Sequence, residues 1–318
     1  MTAISIHLLG KLCVRRNEQV IGCLDGCKMQ ELFGYLLLYR DRPHPRETLA
    51  GLLWGDTSVA QSKKYLRQSL WQLQTALGTQ SQTTNAPLLL VAPDWIQVNQ
   101  QGEFWLDLEI FEQIYAQVSG MPGRQLNAQR AQALHGAVRL YKGDLLEGCY
   151  QDWCLYERER LQGMYLAMLD KLVGYSEAHG DYEAGLEYGM RILRQDRARE
   201  RTHRQMMRLH YLAGDRTGAL HQYERCVAAL HEELQVKPAQ GTVALYEQIR
   251  ADQLISPAPK ANELDREPLG AGRTLEQTTV RLPEVLDRLT RLQGILADAQ
   301  SQVREDIQAI KLLLNHRC

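Results

Sequence analysis

Apolar positions in the N-terminal third of the chain follow two different periods. They first occur in short β-branched runs separated by a glycine or by polar residues, a pattern typical of a small antiparallel sheet. They then recur at spacings of three and four, as on one face of a helix. The predicted elements are strands at 4–9, 11–15 and 19–21, helices at 27–39, 46–53 and 58–77, and a hairpin of 88–91 with 95–98. This order of strands, helices and hairpin predicts a winged helix.

From residue 111 to residue 250 nearly every apolar position keeps the helical period. Two of the breaks, Gly180-Asp181 and Gly214-Asp215, lie 34 residues apart and follow similar apolar residues. This is the period of a tetratricopeptide (TPR) helix–turn–helix unit. We therefore expect stacked helical hairpins with a concave surface suited to a partner. A plain helical bundle with coincidental spacing is the alternative.

The C-terminal part changes character twice. Residues 256–273 are rich in proline and glycine and lack periodicity, which indicates a linker. Beyond it, apolar residues recur every seven positions, a coiled-coil pattern that favours self-association, with docking on the second domain as the alternative. These positions are Leu282, Leu289, Leu296, Val303 and Ile310. The predicted domains are a DNA-binding winged helix (1–110), a TPR-like α-helical domain (111–255), a linker (256–280) and an amphipathic helix (281–318). The fold class is mainly α with a small β part.

The predicted helix 58–77 has one apolar face and one polar face. Leu66, Leu70 and Leu73 share the apolar face. The opposite face and its edge carry Lys63, Lys64, Arg67, Gln68, Trp71, Gln72 and Thr75. Lysine and arginine would contact phosphate or guanine, glutamine would bind adenine, and the threonine methyl would touch thymine. A solvated amphipathic helix is the alternative, but the surrounding order of elements favours a recognition helix.

Two further features belong to this predicted DNA-binding surface. Arg46 starts the second helix and is placed to reach a phosphate there. The turn Ala92-Pro93-Asp94 of the hairpin has no basic residue, so arginine insertion into the minor groove is not expected. We interpret Trp54 and Trp71 mainly as packing residues, and keep Trp71 among the candidate DNA contacts.

Charge and cysteine content adjust this prediction. The 318 residues carry a net charge of −1, and residues 1–110 contain ten Lys+Arg against ten Asp+Glu. A neutral first domain is unusual for DNA binding, which displaces counterions from phosphates. The seven cysteines are scattered, which suits a reducing cytosol. No apolar run approaches the ~18 residues of a membrane span, and the start does not resemble a signal peptide. We expect a cytoplasmic protein without a membrane partner.

Several sequence motifs resemble the bacterial transcriptional activator domain family, known from the Streptomyces antibiotic regulatory proteins. In the first domain they are Leu8-Leu9-Gly10, Arg46-Glu47-Thr48-Leu49, Leu52-Leu53-Trp54 and the run from Leu66 to Leu73. In the second they are Leu140-Tyr141-Lys142-Gly143-Asp144-Leu145-Leu146-Glu147-Gly148, Asp152-Trp153, Glu157-Arg158-Glu159-Arg160-Leu161, Glu200-Arg201-Thr202-His203-Arg204, Tyr223-Glu224-Arg225 and Glu232-Glu233-Leu234. The resemblance covers about residues 1–252.

The resemblance implies a bacterial, nucleoid-associated activator. Such proteins bind direct repeats upstream of promoters, usually as dimers or higher assemblies, and recruit RNA polymerase. The DNA contacts carried over to this chain would be Lys64, Arg67 and Gln68, supported by Arg46. This sequence departs from the family at Gln72 and Gln74, where arginines are frequent.

An arginine-rich tract follows residue 190 and has two interpretations. It is either a solvated face balanced by Asp196 and Glu200, or a contact surface for DNA or an acidic partner. Candidate contact residues are Arg194, Arg197, Arg201 and Arg204.

No residue constellation indicates catalysis. Histidines are dispersed, Cys23 and Cys27 lack the histidine pair of a zinc site, and no GxxxxGK phosphate loop occurs. We therefore expect neither enzyme activity nor a cofactor. A transcriptional activator is the first hypothesis. A protein-interaction adaptor with a degenerate winged helix is the second, and a ligand sensor using the concave surface is the third.

Overall fold

A computed structural model of the chain describes residues 4–17, 19–21, 26–77 and 87–253. All of them fall within one compact unit, Met1–Pro259. The predicted linker and the heptad positions Leu282, Leu289, Leu296, Val303 and Ile310 lie outside the described residues. Across the described ranges, no helix has both the length and the apolar character needed to cross a membrane.

The fold is mainly helical, as the sequence predicts. The strands are β1 (Ile4–His7), β2 (Cys13–Arg16), β3 (Gln19–Val20), β4 (His44–Pro45), β5 (Leu89–Val91), β6 (Trp95–Val98) and β7 (Phe104–Leu106). The helices are α1 (Cys27–Leu38), α2 (Arg46–Trp54), α3 (Val59–Ala76), α4 (Asp107–Val118), α5 (Ala128–Leu140), α6 (Asp152–His179), α7 (Tyr182–Gln195), α8 (Glu200–Leu212), α9 (Arg216–Leu234) and α10 (Gln240–Arg250). A short 3-10 turn at Gly123–Gln125 lies between α4 and α5.

The N-terminal sheet has the strand order β3-β2-β1-β7. The three predicted strands form its antiparallel part, with Ile6 opposite Val14. The fourth strand, β7, was not predicted, and it pairs parallel to β1 with Ile4 opposite Phe104. A three-residue strand that runs directly into α4 leaves too short a pattern to be recognised by alternation.

The helices α1, α2 and α3 and a second sheet form the winged helix. This sheet has the order β4-β6-β5, so the predicted hairpin of β5 and β6 gains an extra strand at His44-Pro45. The apolar face of α3 is fully buried, with Leu66, Leu70 and Leu73 at most 3% exposed. Burial of this face fixes which side of α3 points outward.

Two successive helical hairpins, α6–α7 and α8–α9, have equivalent turns. Each turn places a glycine in the left-handed region, Gly180 at φ 75° and Gly214 at φ 82°. The following aspartate then caps the next helix: Asp181 accepts a hydrogen bond from the Ala184 amide and Asp215 from the Gly218 amide. The recurrence of Gly-Asp in the sequence therefore corresponds to a recurrent turn.

The winged helix and the helical part share backbone hydrogen bonds. Leu9 forms a β-bridge with Leu145. The Leu146 amide donates to the Leu8 carbonyl and the Gly10 amide to the Asp144 carbonyl, both at 3.0 Å. The motifs at residues 8–10 and 140–148, which lie far apart in the sequence, are therefore in direct contact in the fold. The predicted boundary between residues 110 and 111 falls inside α4.

Candidate nucleic-acid interface

Helix α3 presents a continuous polar face to solvent. Its packing against α1 and α2 buries the leucine face together with Ser62 and Ser69, and the side chains on the opposite face point outward. The predicted contacts Lys63, Lys64, Arg67, Gln68, Trp71 and Thr75 are all exposed, together with Gln72. The structure therefore brings six of the seven predicted DNA-contact residues together on one helix.

The charge on this face is positive although the first domain is neutral. The sequence of α3 contains Lys63, Lys64 and Arg67 and no aspartate or glutamate. Lys64 and Arg67 make no ion pair with any residue in the described ranges. Lys63 Nζ lies 2.6 Å from Glu47 Oε1 on α2, and this contact lowers the pKa of Glu47. Such an exposed pair is weak and can exchange for a phosphate contact.

Arg46, the seventh predicted residue, connects α2 to the tip of the hairpin. Its guanidinium Nη1 donates to the Ala92 carbonyl at 3.2 Å, and its backbone amide donates to the Asp94 carbonyl at 2.9 Å. The side chain is half-buried. Arg46 therefore positions the wing beside α2, a role that the sequence did not indicate.

The two tryptophans differ in their surroundings. Trp54 is half-buried and packs on the core, its ring 6.4 Å from that of Tyr65, as expected of a packing residue. Trp71 is 60% exposed, so its interpretation as a packing residue is wrong. The Thr75 hydroxyl donates to the Trp71 carbonyl at 2.8 Å, a bond within the helix that leaves the threonine methyl for contact.

The structure separates Arg194 and Arg197 from Arg201 and Arg204, which it brings together. Arg194 is exposed on α7, and Arg197 pairs with Glu232 on α9 at 3.1 Å. Arg201 pairs with Asp170 on α6, and Arg204 donates to the Thr242 hydroxyl on α10. Arg201 and Arg204 therefore face α6 and α10, whereas Arg197 faces α9.

The buried thiols do not form an accessible catalytic site. Cys149 is 6% exposed and Cys154 is 0% exposed. A hydrogen bond from Cys154 lowers the pKa of Cys149 to about 7, against the opposing effect of burial. Because both thiols are enclosed, substrates do not reach them. Among the described residues, no group of three or more His, Cys, Asp or Glu side chains could hold a metal ion.

Residues 106–250 match the family model described as the bacterial transcriptional activator domain. The chain carries a bacterial transcriptional activator domain. This domain starts at the last residue of β7 and ends at the last residue of α10. The resemblance predicted from the motifs is thereby confirmed for residues 106–250.

A solved structure supports the fold of the larger part of the chain. Mycobacterium tuberculosis EmbR in complex with a low affinity phosphopeptide matches with a TM-score of 0.58 and 20% sequence identity. The match covers 80% of this chain and 67% of the EmbR chain. At this identity the likeness concerns the fold alone. No curated protein sequence matches the chain.

Proposed function

We propose that the protein is a DNA-binding transcriptional regulator whose helix α3 enters the major groove. The observation that supports this most strongly is the outward face of α3, where Lys64, Arg67 and Gln68 are exposed and free of acidic neighbours on the helix. An arginine can form two hydrogen bonds with guanine, and a glutamine can do so with adenine. Lys64 and Lys63 contact phosphates, which positions the helix.

The activator domain would contact RNA polymerase or another protein while α3 holds the DNA. The expected targets are repeats near promoters, bound by a dimer or a higher oligomer. Pairing of two copies would add avidity that one neutral winged helix lacks. The expected location is the bacterial cytoplasm, at the nucleoid.

The test selects genomic DNA fragments with the purified full chain and sequences the bound pieces across a salt series. We expect recurrent sequence repeats and binding that falls as salt rises, because counterions are released from phosphates. Arg67→Ala should weaken binding to a selected site by about 1–3 kcal/mol without unfolding the protein. Arg139→Ala, an exposed arginine on α5, is the matched control and should bind like the wild type. Unchanged affinity of Arg67→Ala would contradict the assigned face.

A protein-interaction adaptor is the second candidate function. The observation that favours it is that Arg46 and Lys63 are already engaged by Ala92 and Glu47, while the wing turn carries no cation. Affinity purification from lysate after nuclease treatment distinguishes the two functions. A retained protein partner without enriched DNA supports the adaptor, and enriched DNA repeats support the regulator.

A further inference from the structure

A basic groove runs through the activator domain on a surface separate from α3. The 3-10 turn, α6, α8 and α10 enclose it, with a volume of about 1190 Å³. Its lining contains two carboxylates, Asp170 and Glu177, and six cationic side chains. The cationic residues are Arg124, Lys171, Arg199, Arg201, Arg204 and Arg208. We call this surface the arginine groove. Its lining carries four more positive than negative charges, although the whole chain has a net charge of −1.

The lining between the charges includes small residues as well as larger ones such as Met121, Leu245 and Gln248. The small residues that do not serve the packing of the 3-10 turn on α6 are Ala167, Ala178, Gly241 and Ala244. A Cβ on Gly241 would meet no atom within 4 Å, so this position opens onto free space. Small side chains allow a bound backbone to approach the helices closely.

Part of the positive charge in the groove is available to a ligand. The guanidinium groups of Arg124 and Arg199 have no ion-pair or hydrogen-bond partner within the residues that the structure describes. Lys171, in contrast, donates to the Met121 carbonyl, and Arg204 donates to the Thr242 hydroxyl. Arg201 pairs with Asp170 at 3.0 Å and Arg208 with Glu177 at 2.7 Å, but these arginine side chains are 65% and 49% exposed. Exposed pairs contribute little and are exchanged readily for a better-placed anion.

The groove also contains two hydrogen-bond acceptors that are not satisfied. The Oε1 atom of Gln205 and the Oδ1 atom of Asp170 are buried and lack a partner among the described residues. A buried acceptor without a donor costs about 1–3 kcal/mol. Neither atom reaches the open part of the groove, so the choice of ligand follows from the charge of the lining.

We propose that the arginine groove binds a segment of a partner protein rich in aspartate and glutamate. Carboxylates would pair with Arg124, Arg199 and their neighbours, while the peptide backbone lies over the small residues of α6 and α10. Charge-assisted hydrogen bonds between guanidinium and carboxylate groups are among the strongest in proteins. The proposal deepens the partner contact of the proposed function, but it does not depend on DNA binding by α3.

The test uses the full chain and a short glutamate-rich peptide with a fluorescein label, followed by fluorescence anisotropy. The control peptide has glutamine at every glutamate. We expect the glutamate peptide to bind, with an affinity that falls as salt rises, and the glutamine peptide not to bind. The double variant R124E/R199E should bind the glutamate peptide at least about tenfold more weakly. Neither side chain has a partner to lose, so the fold should persist, which circular dichroism checks.

Two control variants make the outcome specific. R225E changes the charge of an exposed arginine on α9 outside the groove and should bind the peptide like the wild type. Arg67→Ala should also keep peptide binding, so failure of the DNA proposal and failure of this one are distinguishable. Equal binding by R124E/R199E and the wild type would overturn the proposal, as would absence of binding at low salt. Competition by non-specific duplex DNA that persists in Arg67→Ala would reassign the groove to nucleic acid.

Discussion

Both carboxylate oxygens of Asp107 accept a hydrogen bond from the backbone amide of Leu8, at 2.9 and 3.0 Å. The amides of Leu9 and Leu108 donate to the same side chain, which is fully buried. Asp107 is the first residue of α4, so it connects the start of the activator domain to the end of β1. Burial raises the pKa of Asp107, and the three amides and His7 oppose that shift.

Replacing this carboxylate by an amide should destabilise the fold. In Asp107→Asn one acceptor oxygen becomes an NH2 donor, which faces a backbone N–H and leaves it buried without an acceptor. We expect a loss of about 2 kcal/mol in the free energy of unfolding. Chemical denaturation followed by circular dichroism measures it. A variant as stable as the wild type would show that the hydrogen bonds from these amides to the carboxylate do not contribute to stability.

The two tryptophans of the winged helix should respond in opposite ways to truncation. Trp54→Ala removes a ring that packs on the core and should cost about 2 kcal/mol of stability. Trp71→Ala removes an exposed ring and should change stability by less than about 0.5 kcal/mol. If α3 binds DNA, Trp71→Ala should nevertheless weaken binding to a selected site. Thermal denaturation and a DNA-binding titration of both variants decide this, and a stability loss in Trp71→Ala would contradict its assigned exposure.

Two glycines of the activator domain should differ in their tolerance of alanine. A Cβ on Gly123 would lie 2.1 Å from the backbone oxygen of Lys171, so Gly123→Ala must move the 3-10 turn away from α6. We expect a loss of about 2 kcal/mol or more, since the obstacle is backbone. At Gly136 within α5 a Cβ meets nothing within 4 Å. Gly136→Ala should therefore stabilise by about 0.5–1 kcal/mol. The reverse order of melting temperatures would refute the close contact.

His203 should make stability depend on pH. Its Nε2 lies 2.9 Å from the Arg197 carbonyl and its Nδ1 lies 2.7 Å from the Gln222 amide nitrogen. Because the Gln222 amide donates to Nδ1, Nε2 carries the hydrogen and the ring is neutral. Burial lowers the pKa of His203 from its ordinary value of 6.5. As pH falls below that value, the unfolded chain takes up the proton first, so the stability from this site is present above 6.5 and declines below it.

Urea denaturation of the wild type and His203→Gln over this pH range measures the effect. The glutamine variant does not titrate at this position and should show a flatter decline. Parallel pH curves for the two proteins would assign the decline to other groups.

Local patterns predicted the helices of the winged helix well. The spacing of Leu66, Leu70 and Leu73 predicted α3 within one residue of its observed ends. This works because the buried face of an amphipathic helix appears in the sequence as apolar residues three and four positions apart. The same information identified which residues of α3 are exposed. It placed Trp71 on the exposed face as well, but the size and apolar character of this side chain led to its interpretation as a packing residue.

The sequence pattern did not predict which distant segments contact each other. Strand β7 pairs with a strand about 100 residues earlier, and neither its length nor its alternation indicates that partner. The arginine-rich tract shows the same limit. Arg191 donates to the Tyr165 hydroxyl and the Val138 carbonyl as a structural residue, whereas Arg199 remains without a partner in the described ranges. Residue type alone does not distinguish them, since the difference lies in which helices face each other.

The bridge between Leu9 and Leu145 bears on how the chain folds as the ribosome makes it. Strand β1 is synthesised first, but its parallel partner β7 and the segment that covers Leu8–Gly10 emerge only about 100 to 140 residues later. Nascent domains ordinarily complete their folds in the order of synthesis. Here the winged-helix half gains the partners of its first strand only when residues 104–106 and 144–147 have been made. A chain that ends before the activator domain would therefore leave Leu8–Gly10 without the backbone hydrogen bonds that residues 144–147 supply.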